Sequence, residues 1–372
     1  MPSLSRNYLM VFLISVLFFS FIHSAIGATK DYPIATKGIS PYVIVLGSDA
    51  SFSEKYAAGE LQRAVLQAAG VELPILGENE SRASAPPRFL IGPGKKANEI
   101  GSSKNPVDWK ALGNEGFIIR TVPSKNGPPD VVIAGGRLRG SMYGVFTFLD
   151  HMGFRWYTNR VTRFPAANRL KIPTLDEKMI PVFMSREPSI TEAHDNDWAA
   201  RNRVNMGFVY SIDDTHGGSA GVLGVHTFNM LIPSSLFKEH PEYFPLIGGK
   251  RVTGYVQRCL TSQGIVEVAA ANMLKWMDEK PSGVIFDLSQ NDAGNLCECP
   301  ECTRITNEEG SPSGLYLTFV NRVAEIVEKK YPDRYVSTLA YTFTEKPPRT
   351  VKPRRNVIIR LCPIANCAAV SR

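Results

Sequence analysis

The sequence predicts an α/β protein: a small N-terminal α/β domain with a mixed sheet and helices, followed by a TIM-type (β/α)8 barrel that is incomplete at its C-terminus. Two observations lead to this fold class. Hydrophobic residues make up 44% and charged residues 21% of the 372 residues, a globular composition that excludes a disordered chain and a collagen-like fibre. Apolar strand-like runs also alternate with helical segments, which is typical of parallel strands joined by crossover helices.

The first 28 residues have the features of a secretory signal peptide. Arg6 precedes an apolar run over residues 8–22, and small residues, among them Ala28, follow that run. The run is shorter than the ~20 apolar residues that a membrane-spanning helix needs. We therefore predict a signal peptide at 1–28, a secreted or periplasmic mature protein, and no membrane contact beyond the export signal.

Residues 29–175 are predicted to form the first domain. Ser53 is the expected N-cap and Gly70 the expected stop of its first helix. The glycine-rich turn at 135–140 lacks the spacing of a nucleotide-binding fingerprint, so it predicts a tight turn into the next helix. The predicted strands are 42–46, 71–76, 89–92, 116–121 and 130–134, and the predicted helices are 54–69 and 141–152.

Residues 176–372 are predicted to form the barrel domain, because a proline-bearing stretch at 164–181 separates them from the first domain. The predicted strands are 182–185, 206–210, 284–289, 336–343 and 356–362, and the predicted helices are 197–203, 263–279 and 314–330. A complete eight-fold barrel takes about 250 residues. This segment is shorter, so we expect a truncated barrel.

In α/β barrels the chemistry lies at the carboxyl ends of the strands, and there Asp292 is the first catalytic candidate. Glycoside hydrolysis needs a carboxyl group that protonates the departing oxygen and a second group that assists. Asn291 can orient a substrate hydroxyl or acetamido group, although an Asx turn that only begins the loop is the alternative. Glu187 and Glu345 are possible partner carboxylates, whereas Asp287, in mid-strand, is expected to be buried and paired.

Other polar residues are candidates for substrate binding. His226 is expected to be a hydrogen-bonded histidine of the cleft, since neither it nor His216 belongs to a paired metal-ligand spacing. No metal is therefore predicted at the catalytic site. The substrate-binding candidates are Arg186, Asn202, His226, Gln290 and Tyr341.

Six cysteines lie in the second domain: Cys259, Cys297, Cys299, Cys302, Cys362 and Cys367. An even number in an exported protein favours disulfides. The alternative is zinc, bound by the cluster at 297–302 with Cys259 as the fourth ligand. Either arrangement would hold the loop that carries Asp292.

The net charge of +7 does not indicate a nucleic-acid partner. The basic residues are scattered, and the one cluster, at 346–355, is interrupted by prolines, so it is interpreted as a solvated loop. No nucleic-acid partner is therefore expected.

Several motifs make the second domain similar to a known family. It resembles the domain of unknown function 4838 family, whose characterised members were placed in glycoside hydrolase family 163, endo-acting β-N-acetylglucosaminidases on N-glycans. The blocks that carry the resemblance are DWAARNRVN at 197–205, HTF at 226–228, HPEYF at 240–244, SQND at 289–292 and LAY at 339–341. Members of the family continue past the point where Arg372 ends this chain, which agrees with a truncated barrel.

The first domain looks like the domain that precedes the barrel in β-hexosaminidases and α-glucuronidases. The resemblance rests on GGRLRGSMYG at 135–144 and GFRWY at 153–157. Together the two resemblances imply a glycosidase that acts on a glycan or oligosaccharide with substrate assistance. The sugar's own 2-acetamido oxygen attacks the anomeric carbon, and Asn291 and Asp292 take the two supporting roles in either order. The alternatives are an α-glucuronidase-like hydrolase and a carbohydrate-binding protein that kept the fold without the chemistry.

Overall fold

The computed structural model describes residues 32–80, 87–102, 106–125, 127–207, 211–222 and 224–363. The predicted signal peptide at 1–28, part of the predicted strand at 206–210, and Cys367 lie outside these ranges. None of the helices within these ranges combines the length and the apolar character needed to cross a membrane.

The described chain contains eight α-helices and fourteen β-strands, which confirms the predicted α/β class. The helices are α1 Phe52–Ala69, α2 Lys95–Gly101, α3 Gly140–His151, α4 Asn196–Arg201, α5 Phe228–Leu231, α6 Ile265–Glu279, α7 Pro300–Glu309 and α8 Pro312–Lys330. The strands are β1 Val43–Leu46, β2 Ile75–Gly77, β3 Arg88–Ile91, β4 Phe117–Val122, β5 Asp130–Gly135, β6 Arg155–Trp156, β7 Thr162–Arg163, β8 Asp176–Met179, β9 Gly221–Val222, β10 Leu246–Ile247, β11 Lys250–Arg251, β12 Ile285–Asp287, β13 Tyr335–Tyr341 and β14 Val357–Cys362.

The first domain is built on a six-stranded mixed sheet with the order β2-β1-β3-β5-β4-β8. The first four strands in this order are parallel, while β4 runs antiparallel to both β5 and β8. Because β8 belongs to this sheet, the sheet extends past the domain boundary predicted at residue 175. We therefore propose that the first domain ends after Met179.

Helices α1 and α3 cover one face of this sheet and enclose its larger apolar core. The N-cap of helix α1 is Ser51 and not the predicted Ser53. The Ser51 hydroxyl accepts from the backbone N–H of Glu54, and the Glu54 carboxylate accepts from the backbone N–H of Ser51. This capping box satisfies two N–H groups that the helix itself leaves unpaired. At the other end Gly70 adopts the left-handed conformation, as the sequence predicts for the stop.

The second domain contains four parallel strands in the order β14-β13-β12-β9. Helices α6 and α8 connect successive strands and pack beside each other, so each connection is a crossover of the kind found in (β/α) barrels. Over the described residues the sheet remains open. Its core lies between these helices and β12 and β13.

One predicted strand is not formed, and helix α7 was not predicted. Residues 182–185 form an exposed loop instead of a strand, with Val182 92% exposed, because apolar character alone does not supply a pairing partner. Helix α7 escaped prediction because it is polar over most of its length and buries only Cys302 and Glu309.

Polar contacts join the two domains. Arg139, only 1% exposed, donates from Nη1 to the carbonyl oxygen of Gly217 at 2.7 Å and from Nε to Glu115 at 2.7 Å. The other oxygen of Glu115 accepts from Arg186 at 2.8 Å. One carboxylate therefore bridges a buried arginine of the first domain and an arginine of the second, and this shared contact joins the domains.

Candidate active site

Three loops meet where parallel strands β9, β12 and β13 end, and they hold most of the predicted site residues. His226 and Thr227 follow β9, residues 288–292 follow β12, and a helical turn at Thr342–Thr344 follows β13. Carboxyl ends of parallel strands lie at the same edge of a sheet, which is where α/β enzymes place their chemistry.

Buried hydroxyl groups tie the loop after β9 to the loop after β12. The Thr227 hydroxyl donates to the main-chain oxygen of Asp287 at 3.1 Å and accepts from the backbone N–H of Ser289 at 3.0 Å. The Ser289 hydroxyl in turn accepts from the backbone N–H of His226 at 2.9 Å. These bonds place His226 beside the strand that leads to Asp292.

Gln290 and Asn291 are both about 1% exposed, and their amides bind protein groups instead of pointing into solvent. Gln290 donates to the carbonyl oxygen of Tyr341 at 2.8 Å and accepts from the Thr344 hydroxyl at 2.9 Å. Asn291 donates to the carbonyl oxygen of Val256 at 2.6 Å. In this conformation the two amides position the surrounding loops.

Asp292 is the exposed member of this group. One of its carboxylate oxygens accepts from the Tyr341 hydroxyl at 3.2 Å, and its backbone N–H donates to the Tyr255 hydroxyl at 3.3 Å. Burial, followed by the Asp292 charge, raises the pKa of Tyr341 above its ordinary value, so the hydroxyl keeps its proton and remains a donor.

The His226 ring lies beside Tyr341, with 5.9 Å between the ring centroids, and its Nδ1 is 2.7 Å from the Gln290 carbonyl oxygen. This contact identifies Nδ1 as the protonated nitrogen, because a carbonyl oxygen only accepts. His226 and Thr342 both have positive φ, 61° and 51°. Such backbone strain is uncommon for residues other than glycine and is concentrated at functional sites.

Beneath these loops is a second polar group. Asp287, buried as expected, accepts from the hydroxyls of Ser289 at 2.5 Å, Thr227 at 3.1 Å and Ser337 at 3.3 Å. Burial nevertheless raises the pKa of its carboxyl to about 6. Burial also raises the pKa of Glu187, although Arg360, with Nη2 at 3.1 Å from Glu187 Oε2, opposes the shift.

The other predicted residues lie elsewhere. Arg186 binds Glu115 and the carbonyl oxygen of Arg203 at the domain contact, and Asn202, at the end of α4, donates to the carbonyl oxygen of Trp156 at 3.2 Å. Glu345 lines a 380 Å³ cavity between α8 and strands β13 and β14. The hydrogen bonds of Arg186 and Asn202 thus serve other parts of the fold.

The expected disulfides are not formed among the five described cysteines, Cys259, Cys297, Cys299, Cys302 and Cys362, all of which have free thiols. A disulfide requires sulfur atoms about 2.05 Å apart, whereas Cys259 Sγ lies 3.6 Å from Cys299 Sγ and 3.9 Å from Cys302 Sγ. Four thiols nevertheless converge, since the Sγ atoms of Cys259, Cys297, Cys299 and Cys302 all lie within 4.8 Å of one another.

Three residues of this region escaped the sequence analysis: Tyr255, Gln257 and Arg360. Gln257 is fully buried and donates to the carbonyl oxygens of Asn291 at 2.6 Å and Ala293 at 2.5 Å. Tyr255 and Gln257 lie in an irregular segment that carries no periodic pattern. Arg360 could have been found as the only charged residue within the last predicted strand.

Comparison with solved structures returns carbohydrate-active proteins at low identity. A family 115 4-O-methyl-α-glucuronidase with specificity for decorated arabinogalactans is 13% identical with a TM-score of 0.46, over 82% of this chain and 43% of the other. A β-N-acetylhexosaminidase from Bacteroides fragilis is 13% identical with a TM-score of 0.44, over 87% of this chain and 66% of the other. A mutant Streptomyces plicatus β-hexosaminidase in complex with its product GlcNAc is 12% identical with a TM-score of 0.43, over 89% and 66%. This chain therefore spans less than half of the first protein and about two thirds of the other two.

Family models give a firmer assignment. No curated protein sequence matches the chain significantly. The model described as glycosyl hydrolase family 67 N-terminus matches residues 36–148, and the model described as domain of unknown function DUF4838 matches residues 156–371. Since the second match covers more than half of the 372 residues, the chain belongs to the DUF4838 family, and its first domain matches the N-terminus of glycosyl hydrolase family 67.

Proposed function

We propose that this protein is an exported glycoside hydrolase that cleaves an N-acetylglucosaminide by substrate-assisted acid catalysis. One observation carries the proposal: the exposed Asp292 carboxylate is held by the Tyr341 hydroxyl, beside His226, where parallel strands end. The match of the first domain to a glycosyl hydrolase N-terminus supports the reaction class. The apolar N-terminal run supports export.

The proposed reaction needs no protein nucleophile. The 2-acetamido oxygen of the sugar attacks the anomeric carbon, the glycosidic bond breaks, and the departing oxygen takes a proton from a carboxylic acid. Water then attacks the anomeric carbon and gives its proton to the carboxylate left by the first step. The bond to the acetamido oxygen breaks, which restores the acetamido group and the carboxylic acid. A carboxylate beside the acetamido N–H stabilises the positive charge that develops during the attack.

We assign that carboxylate role to Asp292, because it is exposed and already orders a hydroxyl group. Tyr341 and His226 would bind the substrate beside it. Asn291 and Gln290 act indirectly, because their buried amides hold in place the loops that carry Asp292 and Tyr341. The amide oxygen of Asn291 also accepts from the backbone N–H of Asn229 at 3.2 Å, so a direct contact with a sugar would first have to break these bonds.

Glu187 is the best candidate for the proton donor. Burial raises its pKa above the ordinary value of a glutamate, despite the opposing charge of Arg360. A raised pKa keeps a larger fraction of the carboxyl protonated near neutral pH, as a general acid requires.

A second candidate function is an α-glucuronidase-like hydrolase. The observation that favours it is the match of residues 36–148 to the N-terminus of glycosyl hydrolase family 67. A glucuronide has a hydroxyl in place of the 2-acetamido group and a carboxylate in place of the 6-hydroxymethyl group. It therefore offers no acetamido oxygen for the attack, and its carboxylate would need a cationic partner instead of Asp292. The two functions therefore differ in the substrate they require.

The test is hydrolysis of aryl N-acetyl-β-glucosaminides, N-glycans and aryl glucuronides by the purified chain and by its Asp292→Asn variant. We expect the variant to lose about a hundredfold or more in kcat on N-acetylglucosaminides, because it loses the charge that stabilises the transition state. Circular dichroism and thermal unfolding should match the parent protein, since the side chain is exposed.

Asp278→Asn is the matched control, an exposed aspartate of the same domain whose partner is Lys330, and it should keep normal kcat. Full activity of Asp292→Asn would remove Asp292 from the mechanism. Cleavage of glucuronides alone would select the second candidate. Glycan binding by a chain that hydrolyses none of these substrates would favour a carbohydrate-binding protein.

A further inference from the structure

Four cysteine side chains from two distant parts of the sequence form one cluster. Cys297, Cys299 and Cys302 come from the loop that follows Asp292 and from the first turn of α7, and Cys259 lies 40 positions before Cys299. Cys259, Cys299 and Cys302 are buried and Cys297 is partly buried. We name these four residues the tetracysteine cluster.

The sulfur geometry matches a bound metal ion. A tetrahedral zinc site with zinc–sulfur bonds of about 2.3 Å places its sulfur atoms about 3.8 Å apart. The observed separations from Cys259 Sγ are 3.6 Å to Cys299 Sγ and 3.9 Å to Cys302 Sγ, and all four sulfurs lie within 4.8 Å of one another. These distances are too long for disulfides and too short for a cluster of several irons.

Hydrogen-bond donors surround the sulfurs, as thiolate ligands require. The Thr261 hydroxyl lies 3.2 Å from Cys302 Sγ, and the backbone N–H of Leu246 donates to Cys297 Sγ at 3.4 Å. The Arg251 guanidinium lies 3.9 Å from Cys297 Sγ. Because four thiolates around one zinc ion leave a net negative charge, a nearby cation and an ordered donor shell both stabilise the site.

We propose that the tetracysteine cluster binds one zinc ion as a structural site. Four protein ligands complete the tetrahedral coordination, so the ion has no open position for a substrate or a catalytic water. The role of the ion is to join Cys259 and the residues just before it to the loop that carries Asp292.

Hydrogen bonds from a residue close to Cys259 in the sequence couple the cluster to that loop. Gln257, two residues before Cys259, donates to the carbonyl oxygens of Asn291 and Ala293, and its own amide oxygen accepts from the backbone N–H of Asn291 at 3.2 Å. Cys297 closes the same loop from the other side. Zinc therefore holds both ends of a loop that is otherwise irregular, in the way that a metal clip reduces the freedom of a long loop.

The experiment measures metal content and free thiols in the full chain, purified after growth with added zinc and without chelators. We expect about one zinc ion per chain, free thiols at Cys259, Cys297, Cys299 and Cys302 when alkylated in denaturant with chelator, and thiolate-to-metal absorption when cobalt replaces zinc. The Cys302→Ser variant should lose most of the zinc. The matched control, Cys362→Ser, changes a cysteine outside the cluster and should keep it.

Hydrogen exchange adds a readout that needs neither activity nor a folded variant. Removing zinc from the parent protein with a chelator should increase amide exchange in residues 256–259 and 291–299 and lower the unfolding temperature, while the first domain exchanges as before. Disulfides within the tetracysteine cluster, equal zinc loss in both variants, or a metal-free parent protein that binds neither zinc nor cobalt would overturn the proposal.

Discussion

At the scale of single residues, the contact between Tyr341 and Asp292 has the clearest chemical consequence. The two side chains come from loops after different strands, and a 3.2 Å hydrogen bond joins them. The hydroxyl stays protonated, since burial and the Asp292 charge both raise the pKa of Tyr341. A donor of this kind orients the carboxylate and can later release it to a substrate.

Replacing Tyr341 by phenylalanine tests this orientation. We expect Tyr341→Phe to lower kcat on N-acetylglucosaminides by about tenfold to a hundredfold, the range for loss of one hydrogen bond to a charged group, with little change in unfolding temperature. Steady-state kinetics will measure it. Tyr335→Phe, at the other end of the same strand, is the control; equal losses in both variants would contradict a specific role for Tyr341.

At the scale of secondary-structure elements, the glycine-rich turn before α3 shows why certain positions exclude side chains. A Cβ atom on Gly136 would collide with the backbone of Gly113 and Asn114, and one on Gly144 would lie 2.7 Å from Ile133 Cγ2. The turn therefore packs on the loop that leads into β4, and the helix packs on β5. This agrees with the prediction of a tight turn instead of a phosphate cradle.

A pair of glycine substitutions separates packing from helix propensity. Gly136→Ala should lower the free energy of unfolding by about 3 kcal/mol, since the backbone around it cannot move without disturbing the sheet. Gly59→Ala, in the middle of α1 where a Cβ meets open space, should raise it by up to about 1 kcal/mol. Denaturant titration will measure both; a neutral Gly136→Ala would show that this turn can widen.

At the scale of the whole molecule, a histidine between two carboxylates joins the domains. His216 Nε2 lies 3.0 Å from Asp197 Oδ1, and His216 Nδ1 lies 2.7 Å from Asp213 Oδ1. The Tyr56 hydroxyl of α1 also donates to Asp197 Oδ1 at 2.9 Å. Burial lowers the pKa of His216, but the hydrogen bonds to the two carboxylates outweigh it and raise the pKa above 6.5. The hydrogen bond from His216 holds the pKa of Asp197 well below its ordinary value.

These shifts predict a pH window for the domain contact. Protonated His216 stabilises the folded state most below about pH 6.5, the pKa of a histidine in the unfolded chain. This stabilisation is lost as the pH rises through the higher pKa of His216 in the folded state. Ionised Asp197 stabilises the folded state above about pH 4, and this stabilisation is lost as the pH falls through the lowered pKa of Asp197 in the folded state. We expect the free energy of unfolding to decrease on the alkaline side of this window.

Thermal unfolding between pH 5 and pH 9, in the parent protein and in His216→Gln, measures the effect. The variant should show the smaller decrease across this range, because it has no proton to lose at this position. His240→Gln, which removes a partly exposed histidine paired with Glu242, is the control for the loss of a histidine outside the domain contact. Identical profiles for the parent protein and His216→Gln would contradict the assignment.

The sequence by itself determined the α/β class, most helices and strands, and the loop at 289–292, because these depend on apolar periodicity and on turn residues that are local along the chain. The family match at 156–371 agrees with blocks readable in the sequence. Local patterns did not determine which of the predicted site residues lie together. Asp292, Tyr341 and His226 come together, whereas Arg186 and Asn202 bind groups at the domain contact.

Only the tertiary structure decided which groups face each other. Whether Asn291 is exposed or buried depends on Val256 and Gln257, residues of an irregular segment without periodicity. Whether Cys259 bonds a sulfur or shares a metal depends on distances near 4 Å between atoms 40 positions apart in the sequence. Local patterns specify the elements, but long-range packing sets the distances between side chains, and the chemistry of a site depends on those distances.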